Sequence, residues 1–118
     1  MELNFCSLSS GSSGNCYYVG NESMGILIDA GISATSIRKF LRNMMIPMET
    51  IMGVLVTHNH SDHIRGLEVL LRKNNLPAFT TREVWNSILT PHSRISSDCI
   101  REIPLMKKFH LAGFDIEA

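Results

Sequence analysis

The sequence predicts an α/β fold (α+β in some classification schemes), and three observations support this class. Residues 51–56 form an apolar run with a single glycine, which is typical of a buried strand. Residues 64–71 then place apolar side chains at helical spacing. Upstream, two short apolar runs on either side of a polar turn at residues 20–23 predict a β-hairpin. Alternation of strand and helix patterns favours helices packed against a sheet.

The first part of the chain is predicted to contribute three strands. Residues 3–8 form the first strand, and residues 15–19 and 25–29 form the hairpin. Residues 7–15, rich in serine and glycine, are predicted to form a loop. Backbone N–H groups of such loops can bind anions, so the loop is either a phosphate cradle or a tight connection. Because it lacks the lysine of a P-loop, the connection is favoured.

An amphipathic helix is predicted after the hairpin. Ser33 or Ser36 is its candidate N-cap, and Pro47 is predicted to end it. Its apolar stripe, with spacing i, i+3, i+4, i+7 and i+8, consists of Ile37, Phe40, Leu41, Met44 and Met45.

The second half of the chain is predicted to add two helices and further strands. The buried face of the helix after residue 63 consists of Ile64, Leu67, Leu70 and Leu71. After a short strand at residues 77–80, Thr80 and Glu83 form a candidate capping box for a helix that buries Trp85. Residues 100–105 and 108–118 are predicted to be strands of the same sheet.

Composition limits the class of protein. The chain has 118 residues and zero formal net charge, which predicts one domain without a global electrostatic attraction to nucleic acid. No apolar run reaches the ~20 residues of a membrane span, and the first residues lack a secretory pattern. Three cysteines without metal-ligand spacing predict free thiols in a reducing compartment, hence a cytoplasmic location.

A cluster of metal-ligand residue types follows the strand predicted at residues 51–56: His58, His60, Asp62 and His63. His58 and His60 are two residues apart, so an extended backbone directs both imidazoles to one side. Asp62 and His63 open the next helix and can point back toward the same space. Imidazole nitrogen and carboxylate oxygen suit zinc, manganese or iron. The cluster therefore predicts a metal site rather than a polar loop.

The position of this cluster agrees with that interpretation. A turn from strand to helix lies at the edge of the sheet where α/β folds bind ligands. Asp62 would also suit the helix dipole as a capping residue, but its place between His60 and His63 favours a ligand. His92 and His110 do not lie in comparable contexts and are not predicted to be ligands.

The pattern His-x-His-x-Asp-His at residues 58–63 resembles the signature of the metallo-β-lactamase superfamily. Residues 9–19 and 25–31 resemble the opening of its YycJ/WalJ-like branch, which belongs with the nucleases and phosphodiesterases of the superfamily. The resemblance implies an αββα sandwich with mixed sheets flanked by helices. It covers the N-terminal half of that sandwich, so residues 1–118 are expected to be a partial, truncated domain.

The same resemblance implies a site with two divalent ions, zinc being the expected metal and manganese or iron being compatible. One ion would take His58 and His60, and the other Asp62 and His63, with further ligands from downstream residues. Asp29 would lie beside these ligands without binding an ion itself. A turn-forming or helix-capping aspartate is an equally acceptable interpretation of Asp29.

The implied activity is metal-assisted hydrolysis, in which the ions lower the pKa of water toward ~7 so that hydroxide attacks. Asp62 would be the catalytic residue that orients it. The branch favours a phosphodiesterase or nuclease, specifically an exonuclease acting on DNA. An acyl or thiolester hydrolase is one alternative. The other is a non-catalytic fragment whose half-site is weak or empty and whose uncovered sheet face forms homo-oligomers.

Overall fold

The computed structural model describes residues 3–11, 14–57, 64–91, 93–103, 108–111 and 114–117, with only the backbone of residues 108–110, 114, 115 and 117. The strands are β1 (Asn4–Ser9), β2 (Cys16–Gly20), β3 (Gly25–Ile28), β4 (Ile51–Leu55), β5 (Ala78–Thr80), β6 (Ile100–Glu102), β7 (Lys108–Leu111) and β8 (Phe114–Glu117). The helices are α1 (Ala34–Asn43), α2 (Leu67–Asn74) and α3 (Arg82–Ile88).

The main sheet is mixed and has the strand order β1-β2-β3-β4-β5-β6. The pairings β1–β2 and β2–β3 are antiparallel, which confirms the predicted hairpin, and the remaining pairings are parallel. Parallel neighbours end at the same edge of a sheet. The residues that follow β3 and β4 are therefore brought together.

The last two strands correct the prediction that residues 108–118 form one strand of the main sheet. β7 and β8 pair with each other, antiparallel, in a separate two-stranded sheet, with Leu111 opposite Phe114. Alternation of side chains in a sequence indicates a strand but does not specify its pairing partner. The prediction therefore identified strand-forming residues and assigned them to the wrong sheet.

Helix α1 ends earlier than predicted, and part of its predicted apolar stripe is exposed. Ser33 is the N-cap and accepts a hydrogen bond from the Ser36 backbone N–H at 3.1 Å. Ile37 is fully buried, whereas Phe40 is 42% exposed and Met45 is 89% exposed. The helix ends at Asn43, before Pro47, because the chain turns into a left-handed residue at Met45.

Helices α2 and α3 bury the predicted faces, with one correction at a cap. Thr80 is not the cap of α3, since its buried hydroxyl donates to the Val56 carbonyl at 2.8 Å. Thr81 caps the helix instead and accepts from the Val84 N–H at 3.3 Å. Trp85 is 3% exposed and donates to the Arg101 carbonyl at 2.7 Å, which confirms it as a core residue.

The two faces of the main sheet differ in burial. One face contributes Tyr18, Leu27 and Val54 to the core cluster, together with residues of all three helices. Alternating strand residues point to the opposite side. We call this the second sheet face, and its apolar members are Phe5, Tyr17, Val19, Ile26, Ile28, Leu55 and Phe79. Phe5 is 67% exposed and stacks on Tyr17 with ring centroids 5.9 Å apart.

Candidate metal centre

The predicted ligands His58, His60, Asp62 and His63 lie outside the described residues, so their ligand role stays a prediction. Elsewhere, in the part of the chain that the structure describes, no group of three or more His, Cys, Asp or Glu side chains could hold a metal ion. What the structure describes is the frame around the predicted ligands. On the N-terminal side of the predicted ligands the described chain extends to Thr57, and on the C-terminal side it resumes at Ile64.

Asp29 anchors the residue that immediately precedes the predicted ligands. It directly follows β3, is 2% exposed, and accepts hydrogen bonds from the Thr57 backbone N–H at 2.8 Å and the Thr57 hydroxyl at 2.6 Å. Its own N–H donates to the Leu55 carbonyl at 2.7 Å. The backbone N–H donates to Oδ1 of the carboxylate and the hydroxyl donates to Oδ2. The end of β4 is thereby held against the end of β3.

The prediction for Asp29 left two interpretations open. Ser33 caps the following helix, so Asp29 is not its cap. Asp29 does form a turn residue, because its backbone is left-handed, with φ of 64°, a conformation that aspartate tolerates better than most residues. Its carboxylate is hydrogen-bonded to Thr57, which is 28 residues away in sequence and directly precedes His58. Its position beside metal ligands remains a prediction.

Gly66 anchors the chain on the other side of the predicted ligands. Its N–H donates to the Ala30 carbonyl at 2.7 Å. A Cβ atom at Gly66 would lie 2.0 Å from the Ile32 carbonyl oxygen and 3.0 Å from the Ala34 nitrogen. Only glycine allows this close backbone approach. The segment that carries the predicted ligands is therefore held at both ends by residues 29–34.

The serine- and glycine-rich loop packs on the same segment. Gly31 donates its N–H to the Asn15 carbonyl at 2.8 Å. Gly14 has φ of +139°, and a Cβ atom there would lie 2.6 Å from the Gly31 oxygen. The Asn15 side chain is hydrogen-bonded to both the N–H and the carbonyl of Gly11 at 3.1 Å. These contacts favour the tight-connection interpretation over the phosphate cradle.

Sequence reasoning did not identify Asn15, Thr57 and Gly66 as part of this frame. A signal was available for Gly66, because a glycine within a helical pattern indicates a close backbone contact. For Thr57 and Asn15 the sequence offers no comparable signal. Their partners are distant along the chain and are brought close only by strand pairing.

The Cys16 thiol is the group whose electrostatics the frame changes most clearly. Burial and, to a smaller extent, the negative charge of Asp29 raise the pKa of Cys16 from 9.0 to about 12. A thiol with such a pKa stays neutral at physiological pH, and the thiolate is the reactive form. Cys16 is therefore an inert structural residue of the frame.

Raising the pH is expected to destabilise the folded chain through Cys16. The unfolded thiol loses its proton at a lower pH than the folded thiol, so stability present below pH 9.0 is lost as the pH rises toward about 12. At about pH 10 this loss amounts to about 1.4 kcal/mol. Urea unfolding of the wild type and of Cys16→Ala, compared at several pH values, measures it. A stability difference between the two proteins that stays constant with pH would contradict the assignment.

Comparison with known proteins identifies the class to which this frame belongs. The profile of the metallo-beta-lactamase superfamily matches residues 10–111, so the chain belongs to that superfamily. The predicted resemblance is thereby confirmed. Proteins of this superfamily are generally metal-dependent, often with zinc.

Within this superfamily, the chain is similar to two exodeoxyribonucleases. The chain is 37% identical over 117 residues to Exodeoxyribonuclease YycJ of Bacillus anthracis, which covers 99% of this chain and 41% of that protein. It is also 37% identical over 81 residues to Exodeoxyribonuclease WalJ of Streptococcus pneumoniae, which covers 69% of this chain and 30% of that protein. The chain thus spans less than half the length of these relatives.

Solved structures confirm the fold. A B3 metallo-β-lactamase with an active-site glutamic acid superimposes with a TM-score of 0.75 at 17% identity, over 92% of this chain and 46% of that protein. At this identity the likeness concerns the fold alone. The predicted α/β class and the mixed sheet flanked by helices are confirmed.

Proposed function

We propose that the complete protein is a metal-dependent phosphodiesterase that acts as an exonuclease on DNA, and that this chain carries half of its metal site. The observation that supports this most strongly is the 37% identity to an exodeoxyribonuclease across 99% of the chain. The His-x-His-x-Asp-His pattern lies within the matched region and between the two anchors at Thr57 and Gly66.

The donor set fits the proposed metal. Three imidazoles and one carboxylate, from His58, His60, Asp62 and His63, suit zinc best and also accept manganese or iron. Two divalent ions require more ligands than these four side chains supply. We place the remaining ligands in the part of the relatives' length that this chain does not span.

In the proposed mechanism each residue has a separate role. A bound divalent ion supplies Lewis-acid chemistry, lowering the pKa of water and stabilising negative charge on a phosphate oxygen. His58, His60 and His63 would hold the ions, and Asp62 would hold an ion and orient the water that attacks phosphorus. Asp29 and Thr57 fix the position at which the ligand segment begins. The water oxygen forms a new P–O bond as one P–O bond of the DNA backbone breaks, and the leaving alkoxide takes up a proton that the water gives up.

Zinc binding tests the ligand assignment directly. After loading with zinc and dialysis, the chain is expected to retain metal that elemental analysis detects. His60→Ala and Asp62→Asn should lower the affinity by more than the roughly 10–100-fold lost when only a supporting hydrogen bond is removed. His92→Ala is the matched control and should retain zinc. Equal retention by all variants would contradict the assigned ligands.

The substrate proposal is tested with the complete protein on end-labelled linear DNA and on closed circular DNA. An exonuclease is expected to release nucleotides from the linear DNA and to leave the circle intact. Asp62→Asn should abolish the release. Hydrolysis of a β-lactam or a thiolester in place of DNA would favour the acyl or thiolester hydrolase.

The alternative of a non-catalytic, self-associating chain is favoured by one observation. The second sheet face exposes apolar side chains, Phe5 most of all at 67%. Exposed apolar patches on sheets promote association. This alternative would be supported if the chain retained no zinc after loading and formed oligomers. Phe5→Ser should then abolish the oligomers.

A cytoplasmic location is part of the proposal. Cys6, Cys16 and Cys99 are all free thiols, which fits a reducing compartment. Among the described residues, no helix combines the length and the apolar composition that a membrane span requires.

A further inference from the structure

Met45 occupies a position that neither packing nor backbone preference explains. It follows α1 in the left-handed conformation, with φ of 60°, and its side chain is 89% exposed. The Ile46 N–H donates to the Leu41 carbonyl at 2.9 Å across this residue, as in a Schellman motif. Glycine is the usual residue at this position, and an exposed methionine there is strained without gaining burial.

A cleft of about 320 Å³ lies beside Met45, between β1, β2 and the connection from α1 to β4. Its apolar wall includes Met44, Ile46 and Pro47. The Tyr18 side chain also lines it, is 4% exposed, and makes no hydrogen bond through its hydroxyl with the described residues. The cleft thus offers an apolar wall and a tyrosine hydroxyl that no described residue binds.

The space for the Tyr18 hydroxyl depends on two paired glycines. A Cβ atom at Gly20 would lie 2.0 Å from the Tyr18 hydroxyl oxygen, and one at Gly25 would lie 2.7 Å from it. Gly20 and Gly25 are directly opposite each other in the β2–β3 pairing. Glycines at both positions therefore place the hydroxyl in the wall of the cleft.

Charges of opposite sign flank the same surface. Glu22 lines the cleft, while a second cleft of about 210 Å³, which shares Ile46 and Pro47, is lined by Arg38 and Arg42. None of these three charges forms an ion pair with the residues that the structure describes. We call Glu22, Met45, Arg42 and the first cleft the Met45 surface.

We propose that a second copy of this chain docks on the Met45 surface. In a two-fold interface the same surface of both copies is used, so that if residue i of one copy contacts residue j of the other, j of the first also contacts i of the second. Met45 of each copy enters the cleft beside Met45 of the other, and Glu22 of each copy faces Arg42 of the other. An exposed Met45 side chain, an adjacent cleft and charges of both signs make this patch self-complementary. Zero net charge removes long-range repulsion between the copies.

The test measures the mass of the chain in solution by light scattering over a range of concentrations. Phe5→Ser is present in every sample, so that association through the second sheet face does not contribute. The chain is expected to form a dimer, and Met45→Gly should weaken it roughly tenfold or more, as loss of a central apolar anchor does. Met52→Ala is the matched control, since Met52 is 37% exposed but lines neither cleft.

The stability of Met45→Gly provides a second measurement. At dilutions where both proteins are monomeric, this variant should melt at a higher temperature than its parent, because glycine relieves the left-handed backbone. A weaker dimer formed by a more stable monomer is a result that simple misfolding does not produce.

Charge reversal tests the pairing between copies. Glu22→Arg and Arg42→Glu should each weaken the dimer, and the double variant should restore it. A monomer at all concentrations, which would leave Met45 to a different partner, would overturn the proposal. So would a dimer unaffected by Met45→Gly, or a double charge reversal without recovery.

Discussion

Replacing Gly66 with alanine is expected to destabilise the chain by about 3 kcal/mol, at the upper end of the usual range for overpacking. The added Cβ would lie 2.0 Å from the Ile32 carbonyl oxygen and 3.0 Å from the Ala34 nitrogen. Both are backbone atoms, of Ile32 just before α1 and of Ala34 at its first residue, so no side chain can rotate away. Urea unfolding measures the loss. The same shift should weaken zinc retention, because Gly66 follows the ligand segment.

Gly11→Ala is the matched control for this prediction. Gly11 has φ of +103°, and a Cβ atom there would meet nothing within 4 Å. Alanine at Gly11 therefore causes backbone strain without a clash, at a cost of about 1–2 kcal/mol. Gly66→Ala causes a clash without a left-handed backbone. Comparable unfolding energies for the wild type and Gly66→Ala would mean that the backbone at Ile32 gives way readily, contrary to the anchor described for the site.

Removing the Asp29 carboxylate is expected to have a comparably large effect, a loss of about 3 kcal/mol for Asp29→Ala. Two short hydrogen bonds to Thr57 are lost, and the partly buried Thr57 N–H, two residues after β4, loses its acceptor. Alanine is also less tolerant than aspartate of the left-handed backbone at this position. Asp29→Asn keeps the shape and one acceptor oxygen, so its loss should be smaller.

A double-mutant cycle assigns the effect to the pair. Thr57→Val removes the hydroxyl but keeps the backbone N–H, and its coupling with Asp29→Ala should be about 1 kcal/mol. Zinc affinity should fall by roughly 10–100-fold in Asp29→Ala, as expected of a residue that positions ligands. A coupling energy near zero would show that Asp29 stabilises the fold independently of the Thr57 hydroxyl.

The elements of this protein could be predicted because their signals are local. The hairpin around residues 20–23, the cap at Ser33 and the burial of Trp85 follow from turn chemistry, capping and spacing within a few residues. The metal-ligand pattern is equally local, since its four members lie within six residues. Family membership was also accessible from such short patterns.

The errors arose where neighbouring signals competed. Thr80 and Thr81 are both acceptable caps, and the hydrogen bond of Thr80 to the adjacent strand decided between them. The apolar stripe of α1 continued to Met45 in the sequence, but the chain left the helix before reaching it. Spacing alone does not reveal where a helix ends when an apolar residue adopts the left-handed conformation.

By itself, the sequence determined the fold class, the order of most elements and the residue types of the candidate site. Tertiary structure decided which distant groups meet, Asp29 with Thr57 and Gly66 with Ile32. It also decided that β7 and β8 pair with each other and not with the main sheet. The physical reason is that side-chain periodicity records which face of an element is buried. Contacts between elements depend on strand pairing and close backbone approach, which join residues far apart in the chain.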